Sequence, residues 1–175
     1  MKEHMTIRPA AAADARDFAD VLCKSWNAAY KTILTPEELA KYTNVETRTA
    51  QLTKWIPSGQ GQYLIAYDYA TPCGVCSTGP SRDGDMEGCG EVVAIYALPS
   101  YWGHGVGQAL MDAAVDGLRQ QGYAQVMLWV FEANARARAF YEKCGFVFDG
   151  TYKESGFGNA PGAAREVRYR KTITK

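Results

Sequence analysis

The sequence predicts an α/β domain built on a mixed central sheet of about seven strands with helices flanking it. Three observations predict it. Short runs rich in β-branched and aromatic residues alternate with helical patterns in the order β, α, α, β, β, β, α, β, α, β, β. Two strand-to-helix steps, after the runs at 92–98 and 126–131, are punctuated by Pro99, alternating glycines and Asn134. The length of 175 residues suits one domain, spanning 1–175, that buries most of the surface its unfolded chain exposes.

The elements follow in order. A short strand at 6–8 leads into a helix over 11–29 with Phe18, Val21, Leu22 and Trp26 on its inner face. Thr35-Pro36-Glu37-Glu38 reads as a second helix start, a capping Thr followed by Pro at the first helical position. A further helical piece runs over 46–55. Strands at 62–67 and 74–78 precede a polar loop at 79–90 that contains Arg82, Asp83, Asp85 and Glu87. The 92–98 run is apolar throughout and β-branched, which predicts a strand buried on both faces. Downstream, Gly107, Leu110, Met111, Ala114, Val115 and Leu118 recur at helical spacing, and Gly122 is a natural stop. After the 126–131 strand, Asn134 is placed to cap a helix whose apolar face is Ala137, Phe140, Tyr141 and Cys144, with Gly145 beyond its end. Strands at 146–152 and 165–171, joined by a Gly/Pro-rich loop at 155–162, complete the chain.

Composition narrows the function. Nineteen Lys and Arg balance nineteen Asp and Glu, so no global field favours nucleic acid or an anionic membrane. No apolar run approaches the roughly 18 residues of a membrane helix, and residues 1–5 lack the apolar core of a signal peptide, so a cytoplasmic location is expected. Cys23, Cys73, Cys76, Cys89 and Cys144 are odd in number and scattered, as reduced thiols are. Cys73 and Cys76 form a C-x-x-C, but it follows Pro72 in a strand and lacks a second ligand pair, so no metal is expected.

The junction Gly103-His104-Gly105-Val106-Gly107 is suited to an anion. The first turn of a helix carries up to four N–H groups without intrahelical acceptors and about half a positive charge, and glycines let a phosphate approach. A Walker loop needs Gly-Lys-Ser or Gly-Lys-Thr, which is absent, and the dinucleotide fingerprint would need glycine where Gln108 stands.

A glycine-rich helix start, a strand, and then N-x-x-A-x-x-F-Y-x-x-x-G-F from Asn134 to Phe146 together resemble the GCN5-related N-acetyltransferase family over residues 91–148. The family's loop reads [QR]-x-x-G-x-[GA] and falls on Trp102 to Gly107, with Trp102 replacing the usual Gln or Arg. The resemblance implies a mostly antiparallel sheet and acetyl-coenzyme A as acyl donor. It implies pantetheine contact at Leu98, pyrophosphate contact at Gly103, His104, Gly105, Val106 and Gly107, and Asn134 and Tyr141 near the thioester. It also places Glu91 where many members carry a glutamate acting through water, and puts a β-bulge with an oxyanion-binding N–H at Leu98.

The chemistry asks for the same groups. An aliphatic amine with pKa about 10.4 must lose a proton before it attacks a thioester, and Glu91 is the candidate base. A thiolate whose acid has pKa about 8.5 needs a proton donor, and a phenol such as Tyr141 can supply it. Trp26 and Tyr30, one helical turn apart, resemble a W-x-x-A-Y pattern seen in small-molecule members and are candidate acceptor contacts. Asp83 and Asp85 would suit a cationic acceptor such as a polyamine. The expected reaction is transfer of acetyl to a primary amine of a small molecule, polyamine or amino-acid-like, in a ternary complex. A peptide or protein amine, a catalytically silent acyl-coenzyme A sensor, and a homodimer stay open.

Overall fold

Only two residue pairs hold the middle of the sheet together. In the computed structural model, which describes residues 4–155 and 164–173, β4 (Gly90–Ala97) pairs in parallel with β5 (Gln125–Phe131) at Gly90–Val126 and Glu91–Met127. β1 (Met5–Pro9), β2 (Gln62–Asp68), β3 (Thr71–Pro80), β6 (Val147–Glu154) and β7 (Arg165–Thr172) complete one seven-stranded sheet in the order β1-β2-β3-β4-β5-β7-β6. Every other neighbouring pair is antiparallel. The predicted mixed, mostly antiparallel sheet is thus observed, with its one parallel step at the centre.

The helices cover both faces. α4 (Val106–Gln120) buries Val106, Leu110, Met111, Ala114, Val115 and Leu118 against Leu64, Cys76, Val92, Val126 and Leu128. Gly74 makes room for it, because a Cβ there would lie 2.7 Å from Val106 and 2.8 Å from Leu110 side-chain carbons. On the opposite face α1 (Ala15–Tyr30) and α3 (Val45–Trp55) pack Phe18, Ala19, Val21 and Leu52 on Ile65 and Val75. α2 (Pro36–Tyr42) starts at the predicted cap: Thr35 accepts from Glu38 N–H at 3.3 Å, and Glu38 accepts from Thr35 N–H at 2.9 Å. α5 (Ala135–Lys143) is capped by Asn134, which accepts from Ala137 N–H at 3.2 Å.

Three expectations are corrected. The first helix begins at Ala15 rather than 11, behind a 3-10 turn at Ala12–Asp14, because Asp14 ties the turn to β1 by accepting from Arg8 at 2.7 and 2.8 Å and from Ala11 N–H at 2.7 Å. β3 runs well beyond 74–78, since both of its neighbours supply partners along Thr71–Pro80. β4 is not buried on both faces: Val93 is 43% exposed and residues 94–97 are half-buried, because the strand loses β5 as a neighbour after Glu91. The loop expected at 155–162 lies, except for Ser155, outside the described residues. Among the described residues no helix is long and apolar enough to cross a membrane.

Candidate active site

Where β4 and β5 diverge, a cleft of about 850 Å³ opens between them. β4 from Val92 onward has no ladder partner on that side, so its apolar run borders the cleft with backbone amides free to pair with an extended ligand. The walls are completed by Leu22, Ser25, Trp26 and Ala29 of α1, by α3, and by the first turn of α5.

At one end of the cleft lies the glycine junction. Gly103 and Gly105 have φ of +77° and +86°, in the left-handed region where a side chain would cost about 1–2 kcal/mol, so glycine is required there for conformation. Gly105 is the N-cap of α4. Among the described residues, the N–H groups of Gly103, Gly105, Val106, Gly107 and Gln108 have no acceptor, while that of His104 donates to the Tyr101 carbonyl at 3.3 Å. Gly103, Gly105, Gly107 and Gln108 line the cleft; His104 is exposed and the Val106 side chain is buried in the core. The arrangement can bind a polyanion by backbone alone, with His104 outside it.

Asn134 and Tyr141 line the same cleft from α5. The Asn134 carbonyl is used as the helix cap, which leaves its amide NH2 for a ligand. Tyr141 is 9% exposed, and its hydroxyl has no partner among the described residues. Burial pushes its pKa well above the ordinary phenol range, so it stays protonated at neutral pH.

The Acetyltransferase (GNAT) family model matches residues 25–146. The chain belongs to the GNAT family. It is 30% identical over 131 residues to the uncharacterized N-acetyltransferase YuaI of Bacillus subtilis, covering 74% of this chain and 73% of that one. An uncharacterized N-acetyltransferase of Mycobacterium tuberculosis is 28% identical over 138 residues, 79% of this chain and 86% of its own. Among solved structures, the PaiA N-acetyltransferase of Thermoplasma acidophilum in complex with coenzyme A superposes with a TM-score of 0.78 at 19% identity, covering 97% of this chain and 99% of that one.

As a GNAT chain, it departs from expectation at Leu98. Leu98 does not line the cleft; its N–H donates to the Cys73 carbonyl at 3.0 Å and its carbonyl accepts from Tyr101 N–H at 2.8 Å. The β-bulge sits instead at Val93, where Ser77 pairs with Ala94 and Thr78 with Val92. The unpaired β4 edge that borders the cleft runs from Val92 to Ala97 and stops short of Leu98.

Trp102, the departure from the GNAT loop pattern, is held by a 2.8 Å hydrogen bond from its Nε1 to the Ala97 carbonyl. The Arg136 guanidinium stacks on it 3.1 Å from the ring centroid and lines the cleft. Desolvation is the main influence on Arg136 and lowers its pKa, yet a guanidinium stays charged at neutral pH. A cation thus reaches the glycine junction from α5.

At the other end stand two carboxylates. Glu91 is fully buried and lines the cleft, but Arg82 grips it: Nη2 donates to Oε1 at 2.5 Å, and Nε and the backbone N–H both donate to Oε2 at 3.1 Å. Those bonds take three of about four lone-pair directions. Glu166, which sequence reasoning missed, also lines the cleft, from β7 opposite Phe131. Desolvation raises its pKa above the usual carboxylate range, and its side-chain partner is Lys153 at 3.7 Å, whose Nζ lies 3.9 Å from the Trp129 ring centroid. Only an alternation, apolar Val167 against polar Glu166 and Arg168, marks it in the sequence.

Trp26 and Tyr30 meet here. Their ring centroids are 5.0 Å apart, and Tyr30 donates to or accepts from Tyr96 at 3.0 Å between hydroxyls. Trp26 is half-buried, packs against the cluster of Tyr30, Leu34 and Leu39, and also lines the cleft. Asp83 and Asp85, by contrast, do not line it. Both bind buried Arg168, Asp83 at 3.0 Å and Asp85 at 2.8 Å, and Asp83 also accepts from Trp129 Nε1 at 3.0 Å. The acidic loop is a clamp on the sheet. Cys73 and Cys76 are buried in β3, and desolvation pushes Cys76 up to about 12, so Cys76 is not a ready thiolate.

Proposed function

We propose that the protein transfers the acetyl group of acetyl-coenzyme A to a primary amine of a small molecule by direct attack in a ternary complex. One observation carries this reading: unpaired amide donors at the start of α4 and the partnerless Tyr141 hydroxyl border one cleft between splayed strands. The donor's pyrophosphate would rest on the N–H groups of Gly103, Gly105, Val106, Gly107 and Gln108, assisted by Arg136. Its pantetheine would pair with the open β4 edge at Ile95 to Ala97, with Asn134 beside the thioester end. The solved relative from Thermoplasma acidophilum contains coenzyme A, which supports the same donor here.

The acceptor enters from the α1 and α3 side, past Trp26 and Tyr30. Glu166 takes one proton from the ammonium, directly or through water, and the freed amine attacks the acetyl carbon. An N–H on the unpaired β4 edge meets the developing negative oxygen. As the C–S bond breaks, Tyr141 gives its proton to the departing sulfur and is reprotonated by the second proton that the acetylated nitrogen releases. Glu91 fixes Arg82 at the mouth of the cleft.

The test is thiol release from acetyl-coenzyme A across a panel of amines, with calorimetric titration of coenzyme A alongside. Release with an amine supports transfer. Tight coenzyme binding without release for any amine would reduce the protein to an acyl-coenzyme A sensor.

A further inference from the structure

The charges on the acceptor half of the cleft are unequal. Arg82 is matched by Glu91 and Lys153 by Glu166, whereas Arg48 of α3, which also lines the cleft, has no carboxylate partner among the described residues. Its Nε donates to the Tyr42 carbonyl at 2.9 Å and its Nη1 to Gln51 at 3.2 Å, which orients the fork and leaves Nη2 without a partner among the described residues. A second polar group waits nearby on α1. The Ser25 hydroxyl is buried and unpartnered, and its residue lines the cleft with Leu22 and Trp26. The acidic residues that would have favoured a polycation, Asp83 and Asp85, are ion-paired to Arg168 and do not line the cleft.

Resting on the acetyl-transfer reading, we propose that the acceptor is an amine that also carries a carboxylate, and that Arg48 is the residue that recognises it. A guanidinium held by two neutral acceptors has no counter-ion among the described residues and presents Nη2 as a charged donor to a carboxylate. The aromatic wall between Arg48 and the reacting end has Tyr42 and Trp26 ring centroids 5.7 Å apart and Trp26 and Tyr30 centroids 5.0 Å apart. It suits an apolar spacer between the two charged ends of the acceptor. A polyamine would add positive charge to a wall that already has a surplus cation and no free carboxylate.

The experiment measures thiol release with purified protein and acetyl-coenzyme A. One arm uses ω-amino acids from glycine to aminohexanoate, with phenylalanine and tyrosine. A second uses the corresponding amines without the carboxylate, and a third uses spermidine. The best acceptor should come from the first arm, with kcat/KM at least about tenfold above its matched amine, since a charged hydrogen bond is worth more than the 1.4 kcal/mol that tenfold represents. Arg48→Gln should raise KM for that acceptor by about the same factor, and Arg48→Lys should recover part of the loss. The KM for acetyl-coenzyme A reports whether each variant is folded. Equal or better turnover of the matched amines or of spermidine overturns this inference while leaving acetyl transfer standing. So does an Arg48→Gln variant that keeps the carboxylate preference. No release in any arm overturns the transfer reading, and this inference with it.

Discussion

The Arg136 guanidinium lies over the Trp102 indole, 3.1 Å from its centroid, beside the junction where, among the described residues, the N–H groups of Gly103, Gly105, Val106, Gly107 and Gln108 lack acceptors. The GNAT loop pattern places Gln or Arg where Trp102 stands. Here the cation comes from the neighbouring helix, and Trp102 serves as its platform. Arg136→Ala should raise the coenzyme A Kd about tenfold, the effect of removing one charge-assisted hydrogen bond to a phosphate. Trp102→Ala should do nearly the same, and the double variant should be little worse than either. Additive losses by calorimetry would show that the two residues act separately.

Gly105 begins α4 in the left-handed region, and its replacement should test the anion site without touching a side chain. Gly105→Ala should cost about 1–2 kcal/mol at that position. The loss should appear as weaker coenzyme A binding, read by calorimetry, because the strain is relieved by moving the amide donors. Unchanged affinity would place the pyrophosphate elsewhere.

Glu166 and Glu91 should separate by their pH profiles. Burial raises the Glu166 pKa, and a base must be ionised to act. The acid limb of kcat/KM should therefore lie above the ordinary carboxylate range, with activity lost as pH falls through it. Glu166→Gln should remove that limb and lower kcat by about a hundredfold or more. Glu91→Gln should keep the limb and lose stability, since it strands Arg82. The opposite pattern would return the base to Glu91.

Arg168 should matter for stability rather than for acceptor choice. It is 4% exposed and binds Asp83, Asp85 and Asp149, the last through a side chain only 3% exposed. Arg168→Met should destabilise the protein by about 3–5 kcal/mol, because breaking a buried ion pair on one side leaves the other charge uncompensated. Thermal melts measure this. Asp85→Asn should leave the acceptor KM within about twofold, and a larger rise would put the acidic loop at the acceptor site after all.

Local signals make the order of elements along the chain, the α4 and α5 starts and the glycine junction readable from sequence. Thr35 with Glu38, Asn134 with Ala137, and Gly105 before Val106 each act within four residues. The divergence of β4 from β5 is not readable in that way. An apolar run such as 92–97 looks the same whether it is sealed in a core or borders a cleft, so the pattern predicts burial for Val93 where the structure exposes it. Contacts between separate elements are equally hidden: Arg168 with Asp83, Glu91 with Arg82, and Glu166 facing the cleft from β7. Trp26 and Tyr30 are legible together because one helical turn fixes their common face.

The proposed reaction turns on Tyr141 protonating the departing sulfur. Steady-state thiol release by the wild type and Tyr141→Phe with one amine, alongside their coenzyme A affinities, examines that step alone. The variant should show a kcat at least about tenfold lower, with the coenzyme A Kd changed by less than about twofold. Equal turnover in the two proteins would contradict the assignment of Tyr141 as the acid.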